Sequence, residues 1–227
     1  MLDVLEARIA RAWQREIARA MRSAAAEYIS TQSIMLAMGE HRGRVDRIVR
    51  VTYETAARQF AKPYYEQKAF DDFLRLMQGF MSTIGAKKVV QISETTEHQI
   101  RDAVNEGLAE GVSVDGIAKV IRQRAPIIAR ARSAVIARTE SHTSAMWAQT
   151  EAVKDAGLEL RKQWVAIQDD RTRTLDDGNF DHADMDGATV PMDQPFIVND
   201  EPLMFPGDPG GSAGNVINCR CVMNFVE

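Results

Sequence analysis

A chain of 227 residues, 45% hydrophobic and 26% charged, has an ordinary globular composition and enough length for one large domain or two small ones. No stretch approaches the ~20 consecutive apolar residues of a membrane helix, and the start, MLDVLEARIARAW, spreads charge through every turn where a signal peptide would have an apolar core; a soluble, unexported protein with no membrane partner is expected. The net charge of -4 conceals a division, since residues 1–160 carry net +3 and residues 161–227 net -7, so the two parts face different partners or each other.

From the start to about Gly157, apolar residues recur at helical spacing and breakers are few. Residues 2–28 predict an amphipathic helix: Leu5, Ile9, Trp13 and Ile17 step by four along one face, and Arg8, Arg11, Arg15, Arg19 and Arg22 step by three or four along another. Further helices are expected near 43–61, ended before Pro63, and near 66–82, 94–110 and 114–124, the last with Ser113 and Asp115 as capping candidates. Pro126 suits the first turn of a longer central helix, 126–156, which Gly157 would stop.

Beyond Gly157 the character changes. LELRKQWVAI alternates like a strand, Asp, Gly, Pro and Asn become dense over 169–215, and the chain closes on CVMNFV. The expected class is α+β: a mainly helical N-terminal two-thirds, then a small loop-rich α+β unit. A boundary at 114/115 separates a helical region, 1–114, from a second domain, 115–227.

Several local patterns carry chemistry. Arg138 and Glu140, in ARTE, interrupt a helix otherwise built from Ile, Val and Ala; burying either charge without a partner would cost several kcal/mol, so either a specific partner or a solvated flank is implied. Asp169, Asp170, Arg171 and Arg173 alternate acids and guanidinium groups after a strand containing Trp164, a pattern suited to bracing a loop, binding phosphate or holding a metal. His182 stands among Asp181, Asp184 and Asp186, an acid/base or metal cluster in one reading and, three times as weighty in the other, a polar turn closed by Gly187. Cys219 and Cys221 lie two apart at the entry to a strand, where both side chains fill one face; with His182 they make three-quarters of a tetrahedral zinc site, but C-x-C is narrower than the usual knuckle and no fourth soft ligand stands near. No bound metal or cofactor is therefore expected. The common catalytic signatures, G-x-S-x-G, Walker A, G-x-G-x-x-G and H-E-x-x-H, do not occur.

In order, ARTE, K-x-W at 162–164, DDRTR at 169–173, His182 with Asp186-Gly187, PF at 195–196, PGD at 206–208 and terminal Asn218-Cys-Arg-Cys221 resemble the phage Mu protein F-like head morphogenesis domain over roughly 115–227. Two positions depart from its pattern: eight residues, TLDDGNFD, separate Arg173 from His182, and Val216 and Ile217 stand where relatives carry a His. The resemblance implies a minor structural protein of a tailed-phage head, assembled in the host cytoplasm and resident in the virion near the portal vertex. Its implied partners are the portal and head shell proteins and double-stranded DNA bound without sequence preference, and it is not an enzyme. The Arg8–Arg22 face is the candidate DNA contact, and the Leu5–Ile17 stripe the candidate docking surface. The competing reading is a metal-dependent nuclease or toxin-like enzyme domain, although the segment around His182 has the wrong charge to hold phosphates.

Overall fold

The computed structural model describes residues 2–157, 159–175 and 180–227. Five long helices come first: α1 (Leu2–Thr31), α2 (Met35–Ala56), α3 (Gln67–Phe80), α4 (Ala86–Ala109) and α5 (Val114–Asp155). Five short strands and one helical turn follow: β1 (Arg161–Val165), β2 (Thr189–Pro191), β3 (Phe196–Val198), β4 (Glu201–Leu203), α6 (Ala213–Val216) and β5 (Val222–Val226). The α+β class expected from the sequence is the one observed.

The helix boundaries differ from expectation in instructive ways. The second helix begins at Met35, eight residues before the predicted start, because Gly39 and Gly43 lie on its exposed side and weaken its signal without breaking it. The gap expected between 82 and 94 is absent: a π-type turn, Met81–Gly85, joins α3 to α4, which begins at Ala86. The helices expected at 114–124 and 126–156 are one, with Pro126 in its interior. Ile117, Ile121, Ala125 and Ala129 continue a buried four-residue stripe past Pro126, while Pro126 itself is exposed, so water can take the backbone carbonyl that the ring leaves without its partner.

Caps placed from sequence are present. Ser113 accepts from Gly116 N through its Oγ, 3.2 Å away, at the start of α5. At the end of α4, Val112 N donates to Gly107 O and Gly111 N to Leu108 O, a Schellman closure for which Gly111 adopts a φ of 67°.

Two compact units interleave along the chain. One comprises Met1–Leu5, Thr52–Met77 and Arg138–Glu227, the other Glu6–Val51 and Gln78–Ala137. The divisions fall within helices, and the expected 114/115 boundary lies inside the second unit.

The second unit is all helical. Its core joins Ile17, Ala20, Met21, Ala24 and Ala25 of α1, Ile100 and Ala103 of α4, and Ile117, Ala118, Ile121, Ala125 and Ala129 of α5; the many alanines let helix backbones approach closely. Buried Glu16 is met by His41 Nδ1 at 2.9 Å and Arg44 Nε at 2.9 Å. Burial works to raise its pKa, but those hydrogen bonds outweigh it and hold the carboxylate below its ordinary range.

In the first unit, Trp147 packs against Tyr53 and Phe73, with ring centroids 6.4 and 5.6 Å away. The strands form an antiparallel sheet in the order β2-β1-β5, with a separate β3-β4 hairpin. Trp164 pairs with Met223 across β1 and β5, and Lys162 with Val190 across β1 and β2. Strand β1 alternates, turning Lys162 and Trp164 inward.

Candidate functional site

The patterns singled out in the second half of the sequence converge, within the first unit, on the end of α5 and on Trp164. Residues Thr139–Ala148 of α5 are buried without interruption, although Thr139, Glu140, Ser141, His142, Thr143 and Ser144 are polar. Such a helix needs polar partners on every side, and the strand and loop module supplies them. Arg138 Nη1 donates to Asn218 Oδ1 at 3.4 Å, Asn218 N donates to Thr139 Oγ1 at 3.1 Å, and His142 Nε2 donates to Cys221 O at 2.8 Å. The first and last motifs of the ordered series, ARTE and NCRC, are thus bonded to each other. Asn218 sits at a φ of 59°, a region Asn tolerates better than most residues.

Thr143 Oγ1 donates to Gly207 O at 2.9 Å. Gly207 has a φ of 78°, and a Cβ there would lie 2.8 Å from His142 Nδ1, so the PGD turn can approach α5 only as glycine. Burial holds His142 neutral, lowering its pKa from 6.5 to about 4.

Trp164 is fully buried, with His182 5.6 Å away edge-on and Phe196 of the PF motif 5.3 Å away at 78°. Lys162, also fully buried, donates from Nζ to Met204 O at 2.7 Å and lies 5.3 Å from the Phe196 ring centre. Burial lowers its pKa from 10.5 to about 8.

Asp169 shapes its own turn, accepting from Arg171 N at 3.1 Å, and pairs with Arg220 of NCRC, which holds its carboxyl below the usual range. Arg173 donates to Ile217 O. Arg173 O in turn accepts from His182 N at 3.0 Å and Ala183 N at 3.1 Å, so the eight extra residues between Arg173 and His182 leave and return at one point. Positions 176–179 of that excursion lie outside the described residues. Asp170 and Arg171 are exposed.

The acids around His182 act as the polar-turn reading requires. Asp181 Oδ1 accepts from Asp184 N at 3.0 Å, and Asp186 accepts from Ala166 N at 2.9 Å and Gln168 Nε2 at 2.5 Å. Gly187 N donates to Trp164 O at 2.9 Å. Among the described residues, His182 groups with Cys219 and Cys221, all three buried, and with none of these carboxylates. Cys219 Sγ and Cys221 Sγ lie 3.6 and 3.7 Å from His182 Nδ1. The hydrogen bond between the two thiols, followed by His182, pulls Cys221 down, and the same bond together with burial pushes Cys219 up.

Sequence reasoning did not single out His142, Thr143, Asn199 or Asn215. The polar run ESHTS inside an apolar helix was the available signal for the first two. Asn215 bonds at once to His182, Asn199 and Val198 O, and nothing in its local sequence marks it.

Apart from this module, Arg8, Arg11, Arg15, Arg19 and Arg22 are all exposed on α1. The stripe expected to dock a partner is not available: Leu5, Ile9, Trp13 and Ile17 are 3, 6, 0 and 0% exposed. An apolar helix face more often completes its own chain's core than a partner's, and here it does. Among the described residues no helix is long and apolar enough to cross a membrane.

The sequence profile of the family described as Phage Mu protein F like protein matches residues 98–224. The chain is similar to the uncharacterized protein YqbB of Bacillus subtilis, 26% identical over 62% of this chain and 46% of that protein. It is also similar to the NAD(+)–arginine ADP-ribosyltransferase EFV of Enterococcus faecalis, 29% identical over 60% of this chain and 27% of that protein. The chain thus spans about half the length of the first relative and about a quarter of the second. No solved structure matches.

Proposed function

The chain belongs to the Phage Mu protein F-like family, a family of phage head morphogenesis proteins, and from that membership we propose that it is a minor structural protein of the virion head, positioned at the portal vertex and needed for head assembly and DNA packaging. The observation that carries this reading is the use of the family's ordered motifs: Arg138, Trp164, Arg173, His182, Asp186 and Asn218 are engaged in holding loops together, as an assembly module requires. The chain acts by binding rather than by turnover, and the transferase activity named for the enterococcal relative stays with that protein, of which the match covers 27%.

With the apolar face of α1 buried, its exposed arginine face takes over as the contact surface, for DNA held without sequence preference or for a head protein. Two measurements test the proposal. Imaging of particles carrying a labelled chain should show density at the portal vertex alone; label spread over the shell, or absent from particles, would reject the assignment. A variant with Arg11→Glu, Arg15→Glu and Arg19→Glu should lose low-salt retention of duplex DNA, because each neutralised phosphate adds about 0.9 to the log–log salt slope; unchanged retention would remove DNA from the proposal.

A further inference from the structure

Cys219, Cys221 and His182 come from two separate loops, yet their donor atoms lie within 4.8 Å of one another in a buried site. The state of the histidine can be read from its other nitrogen. Asn215 Nδ2 faces the carbonyl of Val198 at 3.2 Å, which only accepts, so the amide is fixed with Oδ1 toward His182 Nε2, 3.1 Å away. That oxygen also only accepts, hence Nε2 carries the proton and Nδ1 presents a bare lone pair to both sulfurs.

One lone pair accepts from only one thiol, so the second S–H must turn to the other sulfur, which is a weak acceptor. The distances suit a different occupant. An ion bound tetrahedrally at about 2.3 Å from sulfur and about 2.0 Å from nitrogen sets its S and N donors roughly 3.5 Å apart; the observed separations are 3.6 and 3.7 Å. Trp164 supplies an independent observation: its buried Nε1–H has no nitrogen or oxygen acceptor and is left with the Cys221 sulfur as its partner.

We propose that His182 Nδ1, Cys219 Sγ and Cys221 Sγ bind one zinc ion, with the Asn215 amide fixing the histidine tautomer and the Trp164 N–H bonding the Cys221 thiolate. Two thiolates and a neutral imidazole balance the charge of Zn²⁺, which a buried site requires. The chain supplies three donors among the described residues. The expectation of a metal-free module, drawn from the narrow C-x-C spacing and the want of a fourth soft ligand, is set aside in this proposal because the fold brings His182 Nδ1 within 3.6 and 3.7 Å of the two sulfurs. The site ties the His182 turn to the entry of the last strand, and it stands independently of the head role.

The test uses the full chain, expressed with zinc in the medium and purified without chelator. Elemental analysis should return about one zinc per chain, and replacement by Co²⁺ should produce thiolate charge-transfer and tetrahedral d–d absorption. Because the chain has only two cysteines, zinc should also protect all of its thiol from a colorimetric reagent. Asn215→Ala should weaken zinc 10- to 100-fold, as loss of a partner that orients a ligand does. Wild-type protein that holds no zinc and gives no cobalt charge-transfer band overturns the proposal. So does a doubly substituted Cys219→Ser, Cys221→Ser chain that keeps the same zinc; should that variant fail to fold, the wild-type measurements decide alone.

Discussion

The helical unit and the strand and loop module achieve burial by different means. In the first, small and aliphatic residues repeated at helical spacing pack Ile17, Ala24, Ile100, Ile117 and Ala125 into one core. In the module a few large rings, Trp164, His182 and Phe196, are accompanied by side chains that bond named groups: Thr139, His142, Thr143 and Lys162 each meet a backbone group, and Arg138 meets the Asn218 amide oxygen. A repetitive core spreads its energy and tolerates substitution, whereas a sparse polar one concentrates it.

The sharpest way to break this contrast is Trp164→Ala. Removing a fully buried tryptophan costs about 3–5 kcal/mol, and here the same change strips Phe196 and His182 of their shared neighbour. Denaturant unfolding followed by far-ultraviolet circular dichroism should show a loss of that size. A loss below about 1 kcal/mol would mean that the module is not organised around this ring.

A comparable effect should follow acid. Burial depresses the pKa of His142 from 6.5 to about 4 in the folded chain, so between those values the unfolded chain binds more protons and stability falls as pH falls. A shift of this size corresponds to roughly 3 kcal/mol, fully present above pH 6.5 and lost by about pH 4. Unfolding free energies measured across that window should decline accordingly, and His142→Gln, which keeps a donor for Cys221 O, should decline less steeply. Equal slopes would assign the acid sensitivity to other groups.

How far each region could be read from sequence follows from the same contrast. Period and capping located the helices, Ser113 and Gly157 included, because those signals are local; they failed at Pro126 and at Gly39, where packing or exposure overrode a breaker. The module was legible only as an ordered series. Arg138 and Asn218 are 80 residues apart, and their contact depends on the folding of everything between them. His142 and Asn215 went unmarked because a buried polar residue looks local in sequence and becomes specific only through a distant partner. His182, Cys219 and Cys221 were named together from the sequence, but only the fold of the loops between them shows that their donor atoms meet.

The smallest effect, and the one that separates the two regions by sign, concerns glycine. Gly39 and Gly43 lie on the exposed side of α2, and a Cβ at either would meet nothing within 4 Å. A glycine inside a helix loses more backbone freedom on folding than alanine does, so Gly39→Ala and Gly43→Ala should each stabilise the chain by about 0.5–1 kcal/mol. In the module the identical change at Gly207 meets a φ of 78° and an atom of His142 2.8 Å away, and it should destabilise. Thermal unfolding of the three variants side by side gives the comparison directly: two small rises and one fall. If alanine at 39 or 43 lowered the melting temperature instead, that side of α2 would be packed rather than free, and the helical unit would depend on close backbone approach as much as the module does.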